Sequence, residues 1–291
     1  MWMVLGPPWM AFAQTESDAA PFRPQRFWVG MGSFVVADAA VMWGLDRLWY
    51  SDHDRTRFHW YNDWDTYVQQ DKLGHFLVSW HLARGFGEYG LWSGLSRPKA
   101  GLFGGAMSAL FQSQIEFFDG FSEAFGASGT DIVANFLGGA IGGAKVAYPD
   151  GLAWFDLKYS YHPSPYYQHD VSSFAPFRFI GNALKDYDGI SYWLVVRPSE
   201  WTERWPEWLA VSAGYSGTGL AHPISGRKEG GGRGGPVHQR QVFLGPDLDL
   251  LTLREDWPQP FRLLGSIFSF VRLPAPALQL TPEVRWYWVY Y

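Results

Sequence analysis

Apolar residues recur with helical spacing through the first half of the chain and alternate with polar residues through the second half. Four apolar, glycine-rich stretches predict helices, at residues 26–49, 65–91, 100–118 and 130–148. After Pro149 the helical spacing ends, and aromatic runs broken by proline and glycine predict strands. These runs lie at residues 154–161, 191–196, 208–215, 241–244 and 285–291.

The predicted fold class is therefore mainly α, with a β- and loop-rich C-terminal part. Short connections between the helices favour an up-down four-helix bundle. Glycines follow a Gly-x-x-x-Gly spacing in the fourth predicted helix, which favours close contact between helix backbones, most often within bilayers. We expect a Gly-packed bundle over residues 14–149, followed by short strands and extended aromatic segments over residues 150–291.

The first residues resemble the end of a secretory signal, because an apolar run leads to Ala11-Phe12-Ala13, a small-x-small cleavage site. The basic segment that usually precedes such a run is missing. We interpret residues 1–13 as a signal-peptide remnant, which predicts a location in the bacterial cell envelope, facing the periplasm and associated with the outer membrane. The chain has no cysteine, so we expect neither a disulfide framework nor a lipid-modified cysteine among these residues.

Composition narrows the classes of partner. Aromatic residues make up 19% of the chain and charged residues 18%, a balance that suits contact with lipid or with an extended apolar or sugar-like ligand. A very aromatic soluble core is the alternative. The net charge of −5, without a basic stripe, argues against a nucleic-acid partner.

Three polar clusters interrupt the apolar helices, at Asp71-Lys72-Leu-Gly-His75, at Glu116-Phe-Phe-Asp119 and at Asp131-Ile-Val-Ala-Asn135. The spacings of three or four residues turn the polar groups of each cluster to one side of a helix. Charged groups rarely enter apolar helices unless they are paired, bind metal or take part in chemistry. In an up-down bundle all three clusters would fall at the same end, so we expect one shared polar layer.

Three kinds of chemistry fit such a layer. Carboxylates and an imidazole could bind a divalent metal, although no Glu-x-x-His or His-Glu-x-x-His pattern supports this, and no other cofactor is indicated. Crowded carboxylates could instead supply a general acid or base. A buried network that only braces the helices is the third alternative. For a chemical role, the candidate residues are these: catalytic Asp71, His75, Glu116 and Asp131; substrate-binding Lys72, Asp119 and Asn135.

The same motifs carry a family resemblance. Residues 70–76 (Gln-Asp-Lys-Leu-Gly-His-Phe), residues 116–122 and residues 126–138 resemble the YfiM-like family of uncharacterised predicted periplasmic lipoproteins. The elements Asp-Lys-x-x-His-Phe and Asp-x-x-x-Asn-x-x-Gly are also similar to membrane proteins of the VanZ-like group. The resemblance implies an envelope protein but no established activity.

Two functional hypotheses follow. In the first, the polar layer binds, and in an enzymatic version hydrolyses or transfers, an envelope lipid or lipid-linked glycan headgroup. In the second, the protein is a non-enzymatic structural or assembly protein of the envelope, with envelope proteins as partners, and the same residues only brace the bundle. The sequence leaves open whether the protein is an enzyme.

Overall fold

The computed structural model describes residues 21–50, 53–164, 186–220, 238–249 and 269–290. The signal-peptide interpretation of residues 1–13 lies outside these residues. The chain divides into two compact units. The helical unit comprises Met1–Trp64 and Val78–Pro149, and the sheet unit comprises Asp65–Leu77 and Asp150–Tyr291.

Four α-helices lie in the N-terminal half, as the sequence predicts. Proline occupies the first turn of two of them, where its missing N–H costs nothing, and Ser128 caps a third by accepting a hydrogen bond from Asp131 N at 3.2 Å. The helices are α1 (Pro24–Leu45), α2 (Gln70–Trp92), α3 (Arg97–Asp119) and α4 (Gly129–Ala147).

Glycines bring the backbones of the helical unit into contact, as predicted. A Cβ added at Gly104 of α3 would lie 2.2 Å from the carbonyl oxygen of Ala83 in α2, and one at Gly101 would lie 2.4 Å from that of Gly143 in α4. A Cβ at Gly142 of α4 would lie 2.5 Å from Trp80 O in α2. Only glycine allows approaches this close, so α2, α3 and α4 pack on one another through their backbones.

Helix α1 differs from the other three, because none of its residues is buried. It contacts α2 through aromatic pairs such as Phe34 with Phe86, whose ring centroids lie 4.7 Å apart. Among the described residues, α1 is the one helix that is long and apolar enough to cross a membrane, with a mean hydropathy of 1.4 over its most apolar window. This assignment rests on length and composition, which an N-terminal signal sequence shares.

The sheet unit holds one antiparallel sheet of six strands in sequential order. Each strand pairs with the next along the chain, as short connections favour. The strands are β1 (Phe155–Tyr161), β2 (Ile190–Val196), β3 (Leu209–Thr218), β4 (Gln239–Leu248), β5 (Ala275–Thr281) and β6 (Arg285–Tyr290).

Strand β5 is the one described strand that the sequence pattern does not predict. Pro274 and Pro276 interrupt its apolar run, and proline normally argues against a strand because it lacks an N–H for the ladder. In the structure Pro276 lies where the pairing with β6 shifts register, between Ala275 and Ala277, so its missing donor is tolerated.

The sheet is curled. Just before β5, the chain pairs with the free edge of β1, where Tyr159 N donates to Phe270 O and Arg272 N donates to Tyr159 O, both at 2.8 Å. Three residues later the same segment enters β5, which is four strands away from β1 in the sheet. The sheet must therefore bend around Arg272, and its concave side encloses an interior.

Candidate functional site

The candidate residues fall in both units. The sheet unit contains Asp71, Lys72 and His75; the helical unit contains Glu116, Asp119, Asp131 and Asn135. The prediction of one shared polar layer, like that of a metal site formed by His75 with the carboxylates, joins residues of both units and stays a prediction.

Asp71 is the centre of a cluster in the sheet unit, on the first turn of α2. Its carboxylate accepts a hydrogen bond from Tyr187 Oη at 2.9 Å and one from Lys72 Nζ at 3.2 Å, and His75 Nε2 lies 3.9 Å from Oδ1. Burial alone would raise the pKa of Asp71, but His75, Lys72 and the Tyr187 hydroxyl together hold it below its ordinary value. Asp71 is therefore a carboxylate at neutral pH.

Tyr187 is held firmly against this cluster. Its ring stacks on that of Tyr67 with centroids 4.3 Å apart, and its carbonyl accepts a hydrogen bond from Gln70 Nε2 at 2.8 Å. Burial, and next the charge of Asp71, raise the pKa of Tyr187 well above its ordinary value. The hydroxyl therefore stays protonated and acts as a donor to Asp71.

The chain reaches this cluster through an unusual turn. The sequence pattern starts the second helix near residues 65–66, but α2 begins at Gln70, and Tyr67, Val68 and Gln69 before it have φ of 51°, 48° and 65°. Left-handed backbone costs a non-glycine residue roughly 1–2 kcal/mol. Tertiary contacts offset this cost, because Val68 O accepts from Tyr215 Oη and Gln69 Oε1 accepts from Arg240 Nη2.

In the helical unit, Glu116 joins the end of α3 to the start of α4. Its Oε2 accepts the backbone N–H of Ser128 at 2.8 Å, and Ser128 Oγ donates to Asp63 Oδ1 at 2.6 Å. Asp63 also accepts from Thr130 Oγ1 at 3.2 Å. Sequence reasoning did not single out Asp63, which lies in a polar aromatic loop without helical spacing.

The remaining candidates of the helical unit are Asn135, Asp119 and Asp131, and each lies where a helix meets another segment. Asn135 Oδ1 accepts from Ser79 Oγ at 3.2 Å, so α4 is linked to α2, and Asp119 Oδ1 accepts from Tyr50 Oη at 2.7 Å. Asp131 is buried at the cap formed by Ser128. These contacts tie helices and loops together, which is the geometry that the bracing alternative requires.

Comparison with known proteins adds a family likeness. A comparison with curated proteins and one with solved structures found no match. Residues 59–146 match the model of a family described as predicted periplasmic lipoprotein (DUF2279), a stretch that contains all seven candidate residues. The finer resemblance to the YfiM-like and VanZ-like groups is not shown by this match. Over these residues the chain is thus similar to a predicted periplasmic lipoprotein family of unknown function, which, with the apolar helix near its start, supports a location in the cell envelope.

Proposed function

We propose that this protein is a membrane-associated protein of the bacterial cell envelope that binds the anionic headgroup of an envelope lipid or lipid-linked glycan. The observation that carries the proposal is the Asp71 cluster, in which a lysine, a histidine and a tyrosine hydroxyl surround one carboxylate. The side chains of Asp71 and His75 are 22% and 14% exposed, so the cluster lies close to solvent.

Charge supports an anionic ligand. Asp71 holds Lys72 at hydrogen-bond distance and His75 nearby, which fixes an ammonium group and an imidazole ring in one place. Phosphate and carboxylate oxygens bind such groups through charge-assisted hydrogen bonds. The strained turn at Tyr67–Gln69 is a second support, because backbone strain of this kind clusters at ligand-binding and active sites.

The two pKa shifts favour binding over catalysis. A general base works best with a pKa near the working pH, whereas the pKa of Asp71 is lowered and that of Tyr187 is raised well above its ordinary value. Neither group is poised to exchange a proton near neutral pH. Hydrolysis or transfer by this cluster is therefore the weaker version of the hypothesis.

Exposed apolar side chains support membrane association. In addition to α1, helices α3 and α4 carry large apolar residues on their exposed surfaces, and contiguous surfaces of this kind mark membrane or protein contacts. They include Leu102 and Leu110 on α3 and Val133, Phe136 and Leu137 on α4.

The bracing alternative is favoured by one observation in the helical unit. Glu116, Ser128 and Asp63 form a chain of hydrogen bonds that ends at backbone and cap groups. Such a chain holds loops and helix ends together without a ligand. We therefore assign Glu116, Asp119, Asp131 and Asn135 a structural role and keep Asp71, Lys72 and His75 for binding.

The test uses the full chain in detergent, titrated with glycerol 3-phosphate as the headgroup probe and followed by calorimetry. Lys72→Gln and His75→Gln should each weaken binding about tenfold or more, since one charge-assisted hydrogen bond contributes roughly 1.5–3 kcal/mol. Lys72→Arg should retain most of the affinity, and Lys99→Gln, at an exposed lysine of α3, is the matched control.

Equal affinity in Lys72→Gln, His75→Gln and the control would overturn the headgroup site, as would the absence of any binding by the unaltered chain. A thermal melt of each variant separates lost binding from lost folding. In the bracing alternative Lys72→Gln lowers the melting temperature and no variant binds the probe.

A further inference from the structure

The two faces of the six-stranded sheet differ in their charged residues, because ion pairs lie on the concave side together with a buried apolar cluster. On the concave side Arg197 pairs with Asp249 and, at 3.3 Å, with Asp156, while Lys158 pairs with Asp247. The guanidinium carbon of Arg272 lies 4.0 Å from the centre of the Trp193 ring, and its Nε lies 3.6 Å from Asp247. All six charged side chains that form these ion pairs are buried.

The convex side is apolar. Cross-strand pairing aligns one residue from every strand into a row, which we call the leucine row. Its members are Leu157, Leu194, Ala213, Leu244, Leu278 and Trp286. Leu194, Leu244 and Trp286 are 42%, 43% and 47% exposed. Within the described strands Arg240 is the one charged residue whose position alternates to this side.

This arrangement reduces the apolar burial that usually drives a sheet to fold in water. A soluble sheet turns its apolar face inward, and burial of that face supplies most of the free energy. Here the interior combines a small aromatic cluster around Trp193 and Phe243 with ion pairs, whose desolvation can cost more than their attraction returns. The apolar face can contribute only if its surroundings are apolar too.

One end of the convex face fits a lipid boundary. There Trp208, just before β3, is 45% exposed, and Trp288 of β6 is 78% exposed. At the opposite end the sheet unit covers its own face, because Tyr215 Oη donates to Val68 O and the buried Tyr192 hydroxyl lies beside Gly74. Tryptophan is a residue that gathers at the edge of a hydrocarbon layer.

We propose that the convex face of this sheet, centred on the leucine row, lies against the acyl chains of a bilayer. Lipid fits better than a second copy or a protein partner because the apolar row crosses all six strands without a charged residue and has exposed tryptophans at one end. A protein docking site usually has a polar rim around an apolar centre and leaves the apolar core of the domain intact. The proposal does not depend on the headgroup site.

The experiment exploits the absence of cysteine from the chain. Leu244→Cys and Val211→Cys on the convex face, and Glu203→Cys in the exposed β2–β3 connection as the matched control, are each labelled with a nitroxide. The full chain is reconstituted into vesicles of phosphatidylcholine and phosphatidylglycerol. Collision of each label with oxygen, which concentrates in hydrocarbon, is compared with collision with a water-soluble nickel complex.

The expected result is a shift toward oxygen at positions 244 and 211, with the nickel complex favoured at position 203. Nickel accessibility at 244 and 211 equal to that at 203 would overturn the proposal, since the face would then be in water. Low accessibility to both reagents would also overturn it, and dipolar broadening between labels would then identify a second copy as the occupant. If the headgroup test fails and this experiment gives the expected result, the lipid-facing sheet is still supported.

Discussion

In the helical unit, the charged side chains that are buried among the described residues are Glu116 and Asp131, near the end of α3 and the start of α4, while glycines bring the backbones together. In the sheet unit, ion pairs fill much of the interior and leucines lie outside. The helical unit therefore depends on close packing, with short polar links such as Glu116 to Ser128. The sheet unit depends on ion pairs between charges that are buried in its interior.

The two units are therefore vulnerable to different kinds of substitution. Close packing fails when atoms are added, since a helix backbone in contact with another has no room to give way. An ion-paired interior fails when one partner is removed, since the remaining charge has lost both water and its counter-ion. Substitutions that test these two kinds of interior should therefore differ in size and kind.

The largest effect is expected in the sheet. Arg197→Met leaves Asp156 and Asp249 buried without their shared cation, and should lower the free energy of unfolding by about 3–5 kcal/mol. The measurement is urea unfolding of the detergent-solubilised protein. The matched control, Arg204→Met in the exposed β2–β3 connection, should change stability by less than about 0.5 kcal/mol.

Adding Asp156→Asn and Asp249→Asn to Arg197→Met should restore part of the loss, because the uncompensated charges are then gone. If Arg197→Met unfolds at the same urea concentration as Arg204→Met, the ion pairs do not stabilise the sheet. The two units would then not differ in what stabilises them.

A smaller but still substantial effect is expected from added bulk in the helical unit. The Cβ of Gly104→Ala would meet Ala83 O at 2.2 Å and Gly87 N at 2.8 Å, so α2 and α3 must separate, at a cost of about 2–3 kcal/mol. Thermal unfolding followed by circular dichroism measures it. At Gly32 of α1 nothing lies within 4 Å of an added Cβ, so Gly32→Ala should be neutral or slightly stabilising.

Equal melting temperatures for Gly104→Ala and Gly32→Ala would show that the helices do not depend on backbone contact. A lower melting temperature for Gly104→Ala alone would support backbone contact as the basis of the helical unit, because the same chemical change is then harmful only where two backbones meet.

The smallest effect distinguishes a brace from an active site. Glu116→Gln keeps an oxygen for the Ser128 N–H but loses the charge, and a brace should then lose about 1 kcal/mol, the difference between charged and neutral hydrogen bonds. Equilibrium unfolding compares it with Glu123→Gln, an exposed control. A gain in stability for Glu116→Gln would instead indicate an active site, whose strained groups often stabilise the fold when they are neutralised.

Much of the fold could be predicted from local pattern. The third helix is predicted at residues 100–118 and found at Arg97–Asp119, because its apolar spacing and the proline near its start are local signals. The start of α2 could not be predicted, since residues 67–69 take left-handed backbone that only contacts with Tyr215, Arg240 and Tyr187 stabilise.

The candidate site divides in the same way. The sequence alone places Asp71 and Lys72 each about one helix turn before His75, and residues one turn apart lie next to each other on the helix surface. Tyr187 lies 116 residues from Asp71 along the chain, and no pattern links them. The role of Asp63 could not be predicted for the same reason, since a polar residue in a loop has no spacing that would predict its partner.

Hydrophobic periodicity along the chain is enough to predict the four described helices, five of the six described strands and the residues that share a helix face, because periodicity is a property of neighbours along the chain. Which side of each strand is enclosed depends on contacts that are distant along the chain. Alternation defines two faces but does not say which one meets solvent, and in this sheet the curl around Arg272 encloses the charged side and leaves the leucine row outside.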